Sequence, residues 1–313
     1  MKYIDSIAVN DSILTATSAV EDDYSEWDVA TAYVIGDRVI SSTTHSVYQC
    51  LVGNTGNNPD TERADILNPA TPTPAVQNWG YVGATRPWRM FDRSPTSVTV
   101  APSPLTVTLN PGGYVNGIAF YGMIATSVSV TVNDPTSGVV YEQTRDLSFS
   151  SAITDIFGYF ATPHEQLEVL VLTDLPALYP SSTIEISVVN TAGDVTIGEI
   201  DIGPLYSLGE TLEEGTYFSR LDTSSVVTDD FGGVTDTKRP VLKISNFRSE
   251  IPKTETQTAR RRLDTMRGAD KRTFIGSDNA NFDAIAFGYV DSADVTYEDA
   301  HYSIVKLRVI GVL

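Results

Sequence analysis

Residues 127–132 read Ser-Val-Ser-Val-Thr-Val, and their pattern indicates the fold class. Its apolar side chains recur at every second position, which is the period of a strand with one buried face. Residues 133–138 follow as Asn-Asp-Pro-Thr-Ser-Gly, a run typical of turns, and residues 139–141 read Val-Val-Tyr. The pattern predicts an antiparallel hairpin.

The same pattern recurs on both sides of this hairpin. Short alternating stretches, broken by Gly, Pro, Asn or Asp, lie at residues 105–109, 167–172, 183–189 and 197–202. Strands at such spacing, with turn residues between them, are typical of a β-sandwich. We therefore expect an antiparallel, jelly-roll-like sandwich over residues 85–215.

The whole chain of 313 residues is long enough for two or three domains. A hydrophobic content of 41% and a charged content of 19% indicate that most of it folds. We predict a mainly β protein with four zones. They are an N-terminal arm or strands (1–25), a small aromatic-rich β module (26–84), the β-sandwich (85–215) and a β-rich C-terminal region with one helix (216–313).

The C-terminal region carries the one convincing helix, over about residues 255–267. Thr254 is placed to cap it, and Gln257 three residues later completes a capping box. Three apolar side chains then recur on one face at helical spacing: Ala259, Leu263 and Met266. The chain ends in an alternating stretch over residues 302–312, which we expect to be tied into a sheet.

Charge and hydropathy narrow the classes of partner. Acidic side chains outnumber basic ones by 40 to 21, which gives a formal net charge of −19. Such a surface repels phosphate backbones, so we expect no nucleic-acid binding. No window approaches the ~18 apolar residues that cross a bilayer, and no secretory signal opens the chain. We expect no membrane insertion and synthesis in a cytoplasm.

The sequence offers no recognisable catalytic constellation. Nucleophilic catalysis needs a nucleophile beside a base, and His45, His164 and His301 stand in turn, loop or strand-entrance contexts. The single cysteine, Cys50, has no catalytic signature and excludes a disulfide framework within the chain. Three adjacent acidic pairs are most simply solvating loops, because neighbouring side chains on a strand face opposite ways: Asp22–Asp23, Glu213–Glu214 and Asp229–Asp230. We predict no enzyme and no cofactor.

Metal binding is only weakly indicated. The spacings H-x-x-x-H and C-x-x-C do not occur. Residues 277–283, Ser-Asp-Asn-Ala-Asn-Phe-Asp, are rich in oxygen donors of the kind that hold calcium. They lack the glycine and the distal glutamate of a helix-flanked calcium loop, so a plain hairpin loop is the better interpretation. We predict no metal site.

A cluster of arginines stands out in this acidic protein. Four of them lie on the predicted helix: Arg260, Arg261, Arg262 and Arg267. One hypothesis is that they dock on the acidic surface of a neighbouring subunit. The simpler interpretation is an exposed helix face balanced by Glu255 and Asp264.

The small module opens with an ordered motif. Its residues are, in order, Trp27, Tyr33, Gly36-Asp37, Val39, Tyr48, Asn54, Pro59 and Trp79. This order resembles the chitin-binding modules of carbohydrate-binding families 5 and 12, from which the Pro-rich stretch before Trp79 departs. The resemblance implies that some aromatics fill a small core and others stack on sugar rings. The candidate glycan-binding residues are therefore Trp27, Tyr33, Tyr48 and Trp79.

A longer series of short motifs runs along nearly the whole chain. It includes Glu21-Asp22-Asp23-Tyr24-Ser25-Glu26-Trp27, Arg86-Pro87-Trp88-Arg89-Met90-Phe91-Asp92, Leu172-Thr173-Asp174-Leu175-Pro176 and Ala286-Phe287-Gly288-Tyr289. The order resembles a family of bacteriophage virion proteins described as tail or minor structural proteins. The resemblance implies a subunit that acts by its position among neighbouring proteins.

Three functions follow from these observations. The leading one is a structural subunit of a phage tail, tail tip or collar, homo-oligomeric and bound to other virion proteins, made in the host bacterial cytoplasm. The alternative is an adhesion protein of the tail that binds host surface glycan through the candidate aromatics. The third is a glycan-degrading enzyme, which needs two separated carboxylates that the sequence does not identify.

Overall fold

The computed structural model describes residues 1–62, 77–149, 165–176, 181–222, 224–228, 234–237, 241–266, 268, 270–279, 282–298 and 301–312. Within these ranges every strand pairs antiparallel to its neighbours. The predicted fold class is confirmed: the chain is mainly β, with a small β module, a central sandwich and a β-rich C-terminal region.

The strands and helices run in the following order. Before the sandwich come β1 (Lys2–Ile4), β2 (Leu14–Thr17), β3 (Ala32–Tyr33), β4 (Arg38–Ser41), β5 (Ser46–Cys50), β6 (Asn54–Thr55), helix α1 (Pro59–Glu62) and β7 (Trp79–Ala84). A 3-10 helix (Arg86–Phe91) leads into β8 (Thr99–Ala101), β9 (Leu105–Leu109), β10 (Gly117–Tyr121), β11 (Ser127–Asp134), β12 (Gly138–Asp146), β13 (Ser148–Phe149), β14 (Glu165–Gln166), β15 (Leu170–Leu172), β16 (Thr183–Val189), β17 (Val195–Ile197) and β18 (Glu199–Gly203). The last part holds β19 (Leu205–Ser207), β20 (Glu210–Thr211), β21 (Tyr217–Asp222), β22 (Ser225–Thr228), β23 (Val234–Thr237), β24 (Val241–Pro252), a 3-10 turn (Lys253–Glu255), α2 (Thr256–Thr265), β25 (Arg272–Asn279), β26 (Phe282–Tyr297) and β27 (Tyr302–Gly311).

The central sandwich is built from a five-stranded and a three-stranded sheet. Their orders are β12-β11-β16-β9-β2 and β15-β10-β18. The alternation that predicted the hairpin sets its burial, because Val128, Val130 and Val132 of β11 point inward while the Ser and Thr between them do not. They join one apolar core with Ile118 and Phe120 of the facing sheet.

The C-terminal region forms one large sheet with the order β19-β1-β25-β26-β27-β24-β20, and β21 also pairs with β24. Its apolar face is a separate cluster that includes Phe247, Phe274 and Leu307. Helix α2 packs on this cluster through Ala259 and Met266, with Leu263 partly buried beside them. The predicted apolar helix face is therefore the one that is buried.

The predicted capping box at the start of this helix is wrong. The chain already turns helically over Lys253–Glu255, so Thr254 lies inside a 3-10 turn and Glu255 is the N-cap residue. The Glu255 side chain makes no capping hydrogen bond to α2 within the described part of the chain. A capping threonine needs an extended backbone conformation, which the preceding turn does not allow. The chain also contains helical turns that were not predicted, at Pro59–Glu62 and Arg86–Phe91.

The sandwich and the C-terminal sheet pack against each other. The outer face of the three-stranded sheet contributes Ala119 and Tyr121, and the C-terminal sheet contributes Ile4, Ile275 and Phe287. The rings of Tyr121 and Phe287 have centroids 4.9 Å apart. This apolar interface joins the two units along the strand that begins the chain, β1.

The N-terminal strands lie in sheets formed mainly by later residues. β1 pairs with both β19 and β25, while β2 pairs with β9 of the sandwich. The boundaries near residues 25, 84 and 215 remain predictions. Among the described helices, none has the length and apolar character needed to cross a membrane.

Candidate functional site

The aromatic residues predicted to bind glycan gather in the small module, but three of them form its core. Tyr48 is 0% exposed, Trp79 is 1% exposed and Tyr33 is 8% exposed. The Tyr33 and Trp79 rings meet edge to face with centroids 5.1 Å apart. Trp79 Nε1 donates a hydrogen bond of 2.9 Å to the Asn57 carbonyl oxygen. The module covers these rings, so the prediction that they form a glycan platform is wrong.

Trp27, the fourth candidate, is half-buried and packs against the same core. Its backbone N–H donates to the Ile40 carbonyl oxygen at 2.9 Å, which fixes it beside β4. Its indole Nε1 is buried and has no hydrogen-bond partner in the described part of the chain. A small module has few aliphatic side chains to bury, so its large aromatics are drawn inside. Trp27 therefore closes this core rather than presenting an open ring.

Two other aromatics are exposed in this part of the molecule, Tyr81 of the module and Tyr24 just before it. The Arg38 guanidinium carbon lies 5.7 Å from the Tyr24 ring centroid, and Nη1 donates to the Tyr24 hydroxyl at 2.9 Å. These two side chains line a shallow hollow of about 180 Å³ together with Arg89 and Ser97. Because Arg38 already covers the Tyr24 ring, this hollow offers little open aromatic surface.

His45 is held between two carboxylates, an arrangement that the sequence did not reveal. Its Nδ1 lies 3.1 Å from Glu21 Oε1, and its Nε2 lies 2.8 Å from Asp11 Oδ1. The imidazole stacks on Trp88 with centroids 4.2 Å apart, and the Thr85 hydroxyl donates to Glu21 rather than to the ring. Both ring nitrogens face acids, so the described contacts of His45 do not form a nucleophile–base pair.

Of the other two histidines, the structure describes His301. The His301 carbonyl oxygen accepts a 2.9 Å hydrogen bond from the Lys253 N–H at the start of β27. His164 lies outside the described residues. Cys50 is buried in the small module as a free thiol, and burial raises its pKa. A buried thiol of raised pKa is a poor nucleophile.

One of the acidic pairs is structural rather than a solvated loop. Asp22 pairs with Arg86 at 2.8 Å, and Asp23 pairs with Arg89 at 2.5 Å. Both arginines lie on the 3-10 helix before the sandwich, so the pair ties the N-terminal segment to that helix. The interpretation as a solvated pair is wrong for Asp23, whose side chain is buried, while Asp22 keeps an exposed side chain. Asp229–Asp230 lies outside the described residues.

The oxygen-rich run at residues 277–283 falls on the β25–β26 hairpin. Asp278 pairs in register with Asp283, and Ser277 pairs with Ala284. Residues 280–281 lie outside the described ranges. Among the described side chains, no three of His, Cys, Asp or Glu come together as a metal-ligand set.

The helix arginines divide into two kinds. The Arg262 guanidinium lies 4.8 Å from the Tyr206 ring centroid and donates to the Ser207 carbonyl oxygen at 2.7 Å. It therefore fastens α2 to β19 within the chain. Arg260 and Arg261 are exposed, and their role in subunit contact remains a prediction. Arg267 lies outside the described residues.

A groove of about 480 Å³ opens where the C-terminal sheet meets the sandwich. We call it the C-terminal groove. Strands β21 and β24 form one wall, and the interface between the two units forms the other. Ser219 and Ile244 are cross-strand partners on this side of the sheet, which faces Tyr121 and Phe287. The Phe218 side chain is 52% exposed on the opposite side of the sheet, where its ring meets the Phe247 ring.

Two positive side chains face each other beside Phe218, on the Phe247 side of the sheet. Arg220 and Lys243 are direct cross-strand partners in the β21–β24 ladder, an arrangement that destabilises an antiparallel pair. Neither forms an ion pair with another described residue. Asp222 is two residues from Arg220, but hydrogen bonds from Ser224 engage its carboxylate and lower its pKa.

Comparisons with known proteins give a faint likeness to carbohydrate-binding modules. No family model matches the chain, and no curated protein matches it. Chitosan-binding module 1 of a chitosanase/glucanase from Paenibacillus sp. IK-5 is 17% identical, with 37% of this chain and 83% of that chain covered and a TM-score of 0.25. CpGH89CBM32-5 from Clostridium perfringens, solved with GalNAc-β-1,3-galactose, is 10% identical, with 37% and 81% covered and a TM-score of 0.23. Scores this low assign no function to this chain, and the tail-protein resemblance stays a prediction.

Proposed function

We propose that this protein is a non-enzymatic glycan-binding protein and that the open side of strands β21 and β24 around Phe218 is its binding site. The observation that carries the proposal is the combination of one open aromatic ring, Phe218, with the polar side chains of Arg220 and Lys243 on the same side of these two strands. Sugars bind proteins through C–H faces that pack on aromatic rings and through hydroxyls that hydrogen-bond to polar side chains. This side of the two strands provides both kinds of contact.

The positions of the polar groups beside Phe218 support this proposal. Phe218 and Arg220 are two residues apart on β21, so their side chains project from the same face of the strand. Their Cα atoms are separated by about 6.6 Å at the usual rise of a strand. That spacing places a ring-stacking surface beside a hydrogen-bond donor at the scale of a single sugar ring. Lys243, the cross-strand partner of Arg220, is a further donor on this face.

Calorimetric titration of the intact protein tests the proposal. The probes are tetrasaccharides of N-acetylglucosamine, glucosamine, galactose and galacturonic acid. Phe218→Ala is expected to weaken the binding of any sugar that binds by about tenfold, because an aromatic contact contributes about 0.5–1.5 kcal/mol and 1.4 kcal/mol corresponds to a factor of ten. Tyr114→Ala is the matched control, because Tyr114 is 50% exposed and lies on neither β21 nor β24.

Two results contradict the glycan proposal. One is that no tetrasaccharide binds the intact protein. The other is that Phe218→Ala binds sugar as tightly as the intact protein while its thermal unfolding is unchanged. Because the Phe218 ring also meets the Phe247 ring edge-on at 6.3 Å, the unfolding curve is needed to show that the variant remains folded.

A second candidate function is assembly as a subunit of a phage virion. It rests on the sequence resemblance and is favoured by one structural observation: β21 is an edge strand whose side chains are all exposed, including Tyr217 and Leu221. Exposed edge strands with apolar side chains are prone to pair with another chain. We propose that subunits or neighbouring tail proteins pair with this edge.

Light scattering tests the assembly proposal. The intact protein is expected to form oligomers at rising concentration, and Leu221→Lys is expected to reduce its mean mass because a lysine protects an edge strand. Val139→Lys on β12 is the control, since Val139 is also exposed on an edge strand of a different sheet. A monomer at all concentrations, in the presence and absence of other virion proteins, contradicts the proposal.

A further inference from the structure

We infer that the C-terminal sheet carries a second sugar site, in which a neutral sugar binds in a polar hollow on the face opposite Phe218. The hollow has a volume of about 460 Å³, a size typical of sites for small ligands. The inference takes its ligand class from the proposed function and rests on it in that respect. Different side chains form the hollow, so the two sites can be tested separately.

The strand register builds the hollow from two cross-strand rows of polar side chains. The rows are Tyr217–Asn246–Arg308 and Arg248–Lys306–Asp294. Directly opposed residues of an antiparallel pair point to the same side of the sheet, and the rows lie two residues apart on β24 and β27, so all six side chains share one face. Phe247 and Leu307 lie between the rows and point into the core beneath α2. The hollow therefore opens on the other face of the sheet.

Tyr217 supplies an aromatic surface at the edge of the hollow. Its side chain is 57% exposed, and β21 pairs only with β24 among the described strands. The C–H face of a sugar can pack on such a ring. Asn246 stands directly opposite Tyr217, and its amide offers a donor and an acceptor to the hydroxyls of the same sugar.

Lys306 and Asp294 carry opposite charges and face each other without forming an ion pair. They are direct cross-strand partners, and both are exposed. Neither belongs to an ion pair between described residues. An ammonium group only donates hydrogen bonds and a carboxylate only accepts them. Two neighbouring hydroxyls of a sugar ring can therefore lie between them, with one accepting from Lys306 and the other donating to Asp294.

Arg248 lies in the same row and keeps hydrogen-bond donors free. Its Nη2 lies 3.5 Å from Glu298 Oε1, whereas its Nε is buried and has no hydrogen-bond partner among the described residues. A buried donor without a partner is costly and calls for an explanation. Gly215 lies against this side chain, since a Cβ there would be 2.9 Å from Arg248 Cδ. The loop before β21 thus forms a wall of the hollow beside a guanidinium that can donate to a ligand oxygen.

The charges around the hollow are balanced, which favours a neutral ligand. Arg308 Nη1 lies 3.3 Å from Asp291 Oδ2, Arg248 has the acidic neighbour described above, and Lys306 faces Asp294. No net charge remains that would select an anion or a cation. The affinity for a neutral sugar is therefore expected to change by less than about twofold between about 50 mM and about 500 mM salt, because screening acts on charged partners.

Calorimetric titration of the full chain tests the inference. The probes are the neutral tetrasaccharides of N-acetylglucosamine and galactose, together with the charged tetrasaccharide of galacturonic acid. A neutral tetrasaccharide is expected to bind at two sites on each chain, one at Phe218 and one in the polar hollow. Tyr217→Ala and Asp294→Asn are each expected to weaken one of these sites by about tenfold and to leave the other unchanged.

Two matched controls make the same changes outside the polar hollow. Tyr114→Ala alters a tyrosine that is 50% exposed, and Asp194→Asn alters an exposed aspartate between β16 and β17. Both controls are expected to leave both affinities unchanged. The melting temperatures of Tyr217→Ala and Asp294→Asn should match that of the intact protein, because both side chains are exposed.

The outcomes separate this inference from the function on which it rests. If Phe218→Ala weakens binding while Tyr217→Ala and Asp294→Asn do not, the second site is overturned and the proposed function stands. The reverse pattern supports the polar hollow and overturns the Phe218 site. If the Phe218→Ala variant binds the galacturonic acid probe at least tenfold more tightly than both neutral probes, the choice of a neutral sugar is overturned. Failure of every tetrasaccharide to bind the intact protein overturns both sites.

Discussion

Glu199 and Asp201 lie two residues apart on β18, so both carboxylates project from the outer face of the three-stranded sheet toward the C-terminal sheet. Asp201 Oδ2 accepts a hydrogen bond of 2.5 Å from the Thr273 hydroxyl of β25. Glu199 is only 2% exposed, and its Oε2 has no hydrogen-bond partner among the described residues. The interface between the two units therefore contains two buried carboxyl groups, and one of them, Glu199, has an oxygen without a hydrogen bond among the described residues.

The surroundings of this pair favour the protonated forms. Burial, followed by the charges of Asp201 and Asp92, raises the pKa of Glu199 to about 9, against hydrogen bonding to the Arg93 N–H and the Arg93 charge. Burial likewise raises the pKa of Asp201 to about 6, although hydrogen bonds from Thr273 and Ser6 oppose the change. Glu199 thus keeps a proton at pH values where an exposed glutamate has lost it.

Stability is therefore expected to fall as the pH rises. The unfolded chain releases the Glu199 proton near its ordinary pKa of 4.5, whereas the folded chain holds it up to about 9. Between these values the folded state binds more protons, so the free energy of unfolding decreases by up to about 1.4 kcal/mol per pH unit. Below pH 4.5 the residue contributes no dependence on pH.

Glu199→Gln is expected to remove most of this slope. The amide matches the shape of the protonated carboxyl and carries no ionisable proton, so the variant should be more stable than the intact protein at pH 8 and similar to it at pH 4. Thermal unfolding across pH 4–9 measures this. Glu185→Gln on β16 is the control, because Glu185 is exposed. If the stability of Glu199→Gln falls with rising pH as steeply as that of the intact protein, Glu199 is not the buried, protonated group.

Tyr48 is predicted to stabilise the small module rather than to bind sugar. Tyr48→Ala should lower the free energy of unfolding by about 3–5 kcal/mol, the usual cost of removing a buried aromatic ring. Val82→Ala on β7 should change it by less than about 0.5 kcal/mol, because Val82 is exposed. Denaturant unfolding followed by tryptophan fluorescence measures both. Loss of sugar binding in Tyr48→Ala with an unchanged unfolding curve would restore the aromatic glycan site.

Gly288 is predicted to be irreplaceable in the C-terminal sheet. A Cβ atom there would lie 2.0 Å from the Ile310 carbonyl oxygen, a backbone atom of the paired strand β27. Gly288→Ala must therefore push two central strands apart, and we expect a loss of at least about 1–3 kcal/mol. Gly83→Ala is the control, because nothing lies within 4 Å of its added Cβ. Equal melting temperatures for the two variants would contradict this packing.

Substitution of Arg262 is predicted to lower stability, whereas substitution of its neighbour Arg261 is not. Arg262→Ala removes the contact with the Tyr206 ring and the bond to the Ser207 carbonyl oxygen. The expected cost is about 1–2 kcal/mol. Arg261→Ala should leave thermal stability unchanged because that side chain is exposed. If Arg261→Ala instead lowers the mean mass in light scattering, the subunit-contact hypothesis gains its first support.

Local periodicity predicted the parts of the fold that depend on nearest neighbours along the chain. The alternation of β11 identified a strand, and the 3.6-residue recurrence of Ala259, Leu263 and Met266 identified the helix and its buried face. These signals are reliable because a side chain's direction is set by the backbone geometry of its own element. The prediction of a capping box at that helix was wrong because capping depends on the backbone conformation of the preceding turn.

The candidate site was predicted poorly because exposure is a property of the assembled sheets. The motif around Tyr48 and Trp79 reads equally well as a core and as a binding surface, and only the pairing of β5 with β7 encloses the rings. Arg220 and Lys243 are 23 positions apart in number, and no spacing rule joins them. Their register across β21 and β24 brings the two charges together beside Phe218.

Short-range steric and hydrophobic patterns in the amino-acid sequence suffice to predict a mainly β chain, its sandwich hairpins and one amphipathic helix. The pairing of β1 with strands of the C-terminal sheet, the burial of Glu199 and the exposure of Phe218 became visible in the folded chain alone. Each of these depends on contacts between residues far apart in the chain. Such contacts are selected by the packing of whole sheets, which no local pattern records.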